Sequence, residues 1–233
     1  MNKRILKTAA ALALFQASTS GYTQFVHDDV SVETDFAFES EYSFRGEKLD
    51  GPSLQPGVEI GINDGYIGTW LSMPLDRQPI SGNEVDFYAG WVFAVSETVD
   101  LDVGYTYYWY PQAGGSDREP YAGVTFDTLL EPAVYFFYET EGEVLTVEGS
   151  IGYEYDLSGA GFEGHVLDLG AYAGYVTNDE DYFYYGLSAN LVYALSDAAS
   201  FSVGPRFAGN SDGGVVAGPQ QQLWWGTAVS VAY

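Results

Sequence analysis

Acidic side chains that alternate with apolar ones are the residues of this chain best placed to do chemistry. Asp100 and Asp102 alternate with apolar residues along 99–110, and Glu84 and Asp86 do the same one strand earlier. Because successive side chains of a strand point to opposite faces, this pattern collects carboxylates on one face. Rings of carboxylates around a pore attract cations and repel anions, so the pattern indicates a cation-attracting lumen.

The same phase places thirteen charged residues on one shared face. If the apolar face meets lipid, these residues line the lumen of a barrel; Arg45, in phase with Glu39 and Glu41, is the basic member. Alternatively, some carboxylates pair with Arg45 and with tyrosine hydroxyls inside a plugged interior, and the sequence leaves both interpretations open. The predicted lumen residues are Glu33, Asp35, Glu39, Glu41, Arg45, Glu59, Glu84, Asp86, Asp100, Asp102, Glu148, Glu154 and Asp168.

Period-two alternation recurs along most of the chain, whereas helical periodicity is missing. It predicts about twelve strands, and many reach the roughly nine to eleven residues that a tilted strand needs to cross a bilayer. The abundant Tyr, Phe, Trp and Gly suit β-structure, in which glycines relieve crowding beside large rings. The predicted strands are 31–45, 53–62, 65–73, 83–95, 99–110, 119–126, 132–139, 143–156, 165–177, 182–195, 199–208 and 221–233.

The connectors between these strands tend to alternate between tight and long. Tight turns are predicted at 63–65, 96–98 and 196–199, and longer segments at 46–52, 74–82, 111–118 and 209–220. Up-and-down membrane barrels show this asymmetry, with short periplasmic turns and longer external loops. Two connectors do not fit, because 141–142 is short and 157–164 is long for its expected side.

Three features favour lipid over a protein core as the partner of the apolar face. Aromatic residues gather near strand ends, as at Trp109 and at Trp224 and Trp225, which is typical of interfacial girdles. The opposite faces combine acids with Gly, Ser, Thr and Tyr, which suits a narrow lumen. The sequence ends at Tyr233, an aromatic residue in phase with the apolar face. A secreted β-sandwich remains the alternative.

Residues 1–20 have the form of a secretory signal peptide, with a basic start, a short apolar run and small residues before the expected cleavage site. The barrel is then expected over 21–233. This segment holds three of the eight basic residues and no acid. The rest therefore has five basic residues against 33 acidic ones, a formal net charge of −28. Such a surface repels nucleic acid, so that partner is excluded.

The sequence offers little for catalysis. No cysteine is present, which removes disulfides, thiolate metal sites and cysteine nucleophiles. Of the two histidines, His27 precedes the first strand and His165 lies beside a predicted turn. No serine stands in a nucleophile-elbow context such as G-x-S-x-G. We therefore expect no enzyme activity, no catalytic residues, no metal site and no cofactor.

Four stretches, SEYSFRG from Ser40, GVEIGINDGYIGTWLS, EVDFYAGW and LDVGYTYYWYP, resemble the TorF-like family of small bacterial outer-membrane porins. The resemblance is strongest over 40–111. It implies an outer-membrane β-barrel in a Gram-negative bacterium, in contact with lipid and lipopolysaccharide. The closing strand, ending at Tyr233, also resembles the terminal signal that barrel assembly machinery reads.

Together these features predict an all-β, antiparallel, up-and-down transmembrane barrel of about 12 strands. The predicted function is passive diffusion of small solutes, biased toward cations by an acidic lumen. The alternative is a non-enzymatic scaffold or binding barrel with a plugged lumen.

Overall fold

Twelve antiparallel strands close into one barrel, as the alternation predicted. The computed structural model describes residues 30–77, 79–177, 181–211 and 219–233. The predicted signal peptide and His27 lie outside these residues. The strands are β1 (Val30–Glu39), β2 (Tyr42–Phe44), β3 (Glu47–Asp50), β4 (Ser53–Ile62), β5 (Gly65–Pro74), β6 (Glu84–Ala94), β7 (Val99–Tyr110), β8 (Gly115–Phe126), β9 (Ala133–Glu139), β10 (Val144–Asp156), β11 (His165–Thr177), β12 (Tyr182–Ser196), β13 (Ala199–Asn210) and β14 (Gln221–Ala232), with a 3₁₀ turn at Ser158–Ala160.

The barrel closes because β1 pairs on both of its edges. One edge pairs with β14, where Asp35 lies opposite Ser230, and the other pairs with β4, where Glu33 lies opposite Glu59. The remaining strands pair with their neighbours in sequence order. Closure leaves no exposed strand edge in the wall. Within the described ranges, no helix has the length and apolar character needed to cross a bilayer.

The outward and inward faces of the barrel wall differ in polarity. Outward positions carry large apolar side chains that are strongly exposed, such as Phe87 (48%), Ile151 (45%) and Leu187 (53%). Inward positions are polar yet buried, as for Asp86 and Thr106, which are both 0% exposed. The molecule is therefore apolar outside and polar inside, the reverse of a soluble protein.

Many interior tyrosines lie flat across a glycine on the neighbouring strand. Tyr121 faces Gly104 in the β7–β8 register, and its ring atoms lie 2.3 Å from where a glycine Cβ would be. Tyr135 covers Gly123 in the same way. Similar pairs join Tyr66 with Gly90, Tyr88 with Gly68, Tyr172 with Gly186 and Tyr184 with Gly174. This pairing explains why both residue types are abundant in the chain.

The first connector is the main departure from the predicted strands. The alternation predicts one strand over 31–45, but β1 ends at Glu39, and β2 and β3 form a separate two-stranded sheet. We call residues 42–50 the hairpin. It turns at Arg45 and Gly46, whose φ angles of +48° and +77° are left-handed and do not belong to a continuing strand. Its interior contacts place it inside the barrel.

The two barrel ends differ in their connections. We call the end where β1 begins the terminal end and the opposite end the hairpin end. The predicted tight turns at 63–65, 96–98 and 196–199 all lie at the terminal end, together with the longer 157–164. The predicted loop 111–118 is shorter than expected, because β8 already begins at Gly115. Connector length therefore predicts the two ends of the barrel less reliably than alternation predicts the strands.

Candidate functional site

Eleven of the predicted lumen residues belong to barrel strands and occupy inward positions. They are Glu33, Asp35, Glu39, Glu59, Glu84, Asp86, Asp100, Asp102, Glu148, Glu154 and Asp168. The other two, Glu41 and Arg45, precede or form part of the hairpin and not a wall strand. The prediction that Arg45 shares a strand face with Glu39 is therefore wrong, because β1 ends before it.

Arg45 reaches from the hairpin tip to Glu119 on β8. Its two terminal nitrogens donate to the two carboxylate oxygens of Glu119 at 2.8 and 2.9 Å, a bidentate ion pair. The Tyr108 hydroxyl donates to the same carboxylate at 2.8 Å. The guanidinium also lies over the Phe137 ring, 4.9 Å from its centroid. Since β8 lies across the barrel from β1, the hairpin crosses the lumen.

The ion pair with Glu119 keeps Arg45 in its charged form. Burial alone would lower the pKa of the guanidinium, but the facing Glu119 carboxylate outweighs burial and raises the pKa above its usual value. Arg45 is therefore permanently charged, and the hairpin tip carries a fixed cation into the lumen.

Two further contacts fix the tip on the opposite wall. The Gly46 carbonyl accepts a hydrogen bond from the Asn210 amide at 2.8 Å and from the Gln222 amide at 3.2 Å. A Cβ at Gly46 would lie 2.8 Å from the Gly209 carbonyl oxygen, so the tip approaches β13 closely. Only glycine fits here, because the site combines this approach with a positive φ.

Asp50 anchors the base of the hairpin to the β5–β6 connector. Its buried carboxylate accepts backbone N–H groups of Ile80 and Ser81 at 3.1 Å and of Gly82 at 3.3 Å, and also the Ser81 hydroxyl. Burial alone would raise the pKa of Asp50, but these donors outweigh burial and hold the pKa below its usual range. The hairpin is thus held at its tip and at its base.

Tyrosine hydroxyls satisfy several of the lumen carboxylates. Asp102 accepts from Tyr66 at 2.8 Å and from Tyr135 at 3.0 Å, and Tyr66 also contacts the Tyr121 hydroxyl at 2.5 Å. Glu84 accepts from Tyr42 of the hairpin at 3.0 Å, and Glu148 accepts from Tyr184 at 2.7 Å. A neutral hydroxyl donates to a carboxylate but brings no compensating positive charge.

A second ion pair lies within the wall. Arg206 on β13 donates to Glu39 at 3.3 Å and to Asn190 at 2.5 Å, and the Trp224 indole donates to Glu39 at 2.8 Å. The Asn190 amide contacts Asp168 at 3.4 Å. This cluster joins β1, β11, β12, β13 and β14 and does not involve the hairpin.

The interior of the described barrel carries an excess of acid. Its basic residues are Arg45, Arg206 and Lys48, and each is paired with one carboxylate; Lys48 contacts Glu41 at 2.5 Å. On the terminal-end side Asp35 and Glu59 are half-buried inward carboxylates without a basic partner in any ion pair of the described residues. The described interior therefore holds more carboxylates than basic side chains.

Sequence reasoning missed Glu119, Arg206 and the inward course of the hairpin. The predicted strand 119–126 begins at Glu119, before Pro120, whereas β8 begins four residues earlier. Arg206 alternates in phase with the inward residues of β13, so the period-two pattern could have identified it as a lumen residue. The hairpin could have been suspected from Arg45-Gly46, a pair suited to a tight turn.

His165 lies against a backbone carbonyl and a tyrosine ring. Its Nδ1 lies 3.0 Å from the Glu163 carbonyl, and its ring lies 4.9 Å from the Tyr193 ring. Across the described residues, no group of three or more His, Cys, Asp and Glu side chains is arranged to hold a metal ion.

A family model described as a bacterial protein of unknown function (Gcw_chp) matches residues 26–144, just over half of the chain. The chain belongs to this family. The Gcw_chp model carries no TorF-like label, so that finer assignment stays a prediction. No curated protein matches this Gcw_chp chain.

Solved porin structures share the fold of this Gcw_chp barrel. The KdgM porin has 11% sequence identity and a TM-score of 0.59, covering 87% of this chain and 99% of its own. A KdgM structure in complex with disordered oligogalacturonate gives the same values. The NanC porin has 10% identity and a TM-score of 0.52, covering 88% of this chain and 98% of its own. At such identities the similarity establishes the barrel fold and no solute.

Proposed function

We propose that this protein is an outer-membrane porin that lets small solutes diffuse passively and prefers cations. It inserts into the outer membrane of a Gram-negative bacterium after signal-peptide cleavage, with its apolar face against lipid and lipopolysaccharide. The barrel assembly machinery recognises its closing strand. The porin fold of KdgM and NanC supports the general class.

The excess of inward carboxylates carries the cation preference. Every basic side chain of the described interior is already paired with a carboxylate, whereas Asp35 and Glu59 face the lumen without a basic partner among the described residues. Oligogalacturonate, named with one KdgM structure, is itself a polyacid. The acidic lumen here would repel such a solute, so we propose cations and small neutral molecules as solutes.

The test is the reversal potential of the refolded protein in a planar bilayer under a tenfold KCl gradient. We expect a potential close to that of K⁺. Replacing Asp35 and Glu59 by Asn and Gln should move it toward zero. A matched control neutralises two exposed carboxylates on terminal-end turns, Asp64 and Glu97. Equal shifts in both variants, or a potential on the Cl⁻ side, would contradict the proposal.

A closed binding or scaffold barrel is the second candidate, and the hairpin favours it. The hairpin tip lies across the lumen and is held by Glu119, Asn210 and Gln222. If the hairpin never moves, the protein inserts into the bilayer without conducting. Discrete conductance steps therefore support the porin, whereas a folded, inserted and silent protein supports the closed barrel.

A further inference from the structure

Asp86 is a fully buried carboxylate with neither oxygen hydrogen-bonded. It points inward from β6 and is 0% exposed, and both Oδ atoms lack a partner. Other interior carboxylates differ, since Asp102, for example, accepts two tyrosine hydroxyls. An isolated buried carboxylate is strongly unfavourable and must be neutralised or coordinated.

The surroundings of Asp86 add negative charge. Glu84 lies two residues earlier on the same face, and Asp86 interacts electrostatically with Glu84 and Glu119. The charge of Glu119 is balanced by Arg45, whereas Glu84 receives only the neutral hydroxyl of Tyr42. Glu84, Asp86 and Glu119 thus share one guanidinium, which leaves two carboxylates uncompensated, and Asp117 is a further acid that interacts electrostatically with Glu84.

Two hydroxyls beside Asp86 also lack partners. Ser72 on β5 lies opposite Glu84, and Thr106 on β7 lies diagonally across from Asp86, two residues from its register partner Tyr108. Both side chains are 0% exposed and have no hydrogen-bond partner. The cluster therefore offers only oxygen atoms, and several of them are vacant.

We propose that Asp86 and Glu84 bind a partly hydrated divalent cation of the Mg²⁺ or Ca²⁺ type inside the barrel. A +2 charge balances the two uncompensated carboxylates. Hard cations select oxygen ligands, and Mg²⁺ in particular is commonly held by one or two carboxylates while it keeps several waters. Those waters hydrogen-bond to the hydroxyls of Ser72 and Thr106. With only two carboxylates, the site differs from a cage of three or more acidic ligands.

The position of the proposed cation behind the hairpin links its binding to the stability of the barrel. Glu84 accepts from Tyr42, which belongs to the hairpin, so a cation on Glu84 and Asp86 lies directly behind it. Removing the cation leaves two buried charges to repel each other beneath the hairpin. Binding therefore stabilises the folded barrel by mass action. This does not depend on conduction, so the site and the porin function fail or succeed separately.

The test uses the full mature chain refolded in detergent without lipopolysaccharide. Its thermal midpoint is measured after EDTA treatment, in increasing MgCl₂ or CaCl₂, against NaCl at matched ionic strength. We expect a saturable rise with either divalent salt that NaCl does not produce. Asp86→Asn should abolish the rise. Asp102→Asn, an inward carboxylate of the next strand with its own tyrosine donors, should keep it.

A second measurement counts bound ions directly. Isothermal titration with CaCl₂ should give one more ion per chain for the wild type than for Asp86→Asn. No divalent-specific rise, or an equal rise in Asp86→Asn, would overturn the proposal and leave a proton as the neutralising group. Equal stoichiometry in the two proteins would overturn it as well.

Discussion

Replacing Glu119 by Gln should release the hairpin from the barrel wall. Glu119 is the bidentate acceptor of Arg45, and the two side chains are only 3% and 13% exposed. Gln keeps the size and one acceptor oxygen but removes the charge that compensates the guanidinium. The variant therefore isolates the ion pair from the packing around it.

The expected size of the effect follows from burial. Removing one partner of a buried ion pair costs about 3–5 kcal/mol, because the other charge remains buried without compensation. At about 1.4 kcal/mol for each factor of ten, the ratio of released to seated hairpin should rise between about one hundred-fold and a few thousand-fold. Contacts at Gly46 and Asp50 remain, so the barrel itself should stay folded.

A thiol-labelling assay can measure this ratio, because the chain has no cysteine. The Ser43 hydroxyl in the hairpin is buried, so Ser43→Cys reacts with a maleimide only when the hairpin is released. We expect Glu119→Gln to accelerate labelling at least one hundred-fold. Glu39→Gln is the matched control, since it breaks the buried pair with Arg206 within the wall. Similar labelling in both variants, or no acceleration in Glu119→Gln, would show that the ion pair does not hold the hairpin in place.

Three further predictions concern the wall and the hairpin base. Ile151→Arg should impair membrane assembly far more than Ser150→Arg, because a cation on the lipid face near the midplane costs about 2–4 kcal/mol; heat-modifiable gel migration measures assembly. Gly104→Ala should lower the unfolding free energy by about 1–3 kcal/mol in urea, because the facing tyrosine ring occupies the Cβ position. Gly152→Ala should not destabilise the barrel, because the Cβ position would lie 4.0 Å from the Leu169 carbonyl oxygen, an ordinary contact distance. Lowering the pH should release the hairpin base, because the pKa of Asp50 is depressed in the folded protein. The stabilisation by the ionised Asp50 is complete above its unfolded pKa of about 3.9 and is lost as the pH falls through its folded pKa. A nitroxide label on the hairpin reports this as a mobile fraction that grows below that pH.

Each of these predictions has an outcome that contradicts it. Equal assembly of the two arginine variants would invert or remove the assigned faces. Equal urea stability of the two alanine variants would mean that the rings are not packed on glycine. The nitroxide can be attached to Leu49→Cys, with Asp50→Asn as the control. That control should show a high mobile fraction at every pH, and an identical pH profile in both proteins would rule out Asp50 as the titrating group.

Strand number and face were predictable from the sequence, whereas long-range pairing was not. Alternation around Glu84, Asp86 and Asp102 repeats with period two, so the inward face followed from local geometry. The register between neighbouring strands determines which residues face each other, and the pattern within one strand does not indicate that register. Tyr121 and Gly104 illustrate the difference, since composition indicated rings beside glycines and only the register shows which ones meet.

The hairpin escaped prediction because alternation continues through it. Residues 40–45 keep the polar and apolar sequence of a strand, and nothing local distinguishes a wall strand from an inserted one. The distinction depends on Glu119, Asn210 and Gln222, which lie 74 or more residues away along the chain. Contacts at that separation decide the course of the backbone without leaving a local signal.

The structure indicates an acidic barrel lumen that the inserted hairpin narrows. Single-channel conductance of the wild type beside a variant with a short Gly-Ser link in place of 42–50 measures this narrowing. We predict a larger conductance in the variant and a cation-selective reversal potential in both. Equal conductance in two folded, inserted proteins would show that the hairpin does not narrow the lumen, and anion selectivity in the variant would show that the lumen is not acidic.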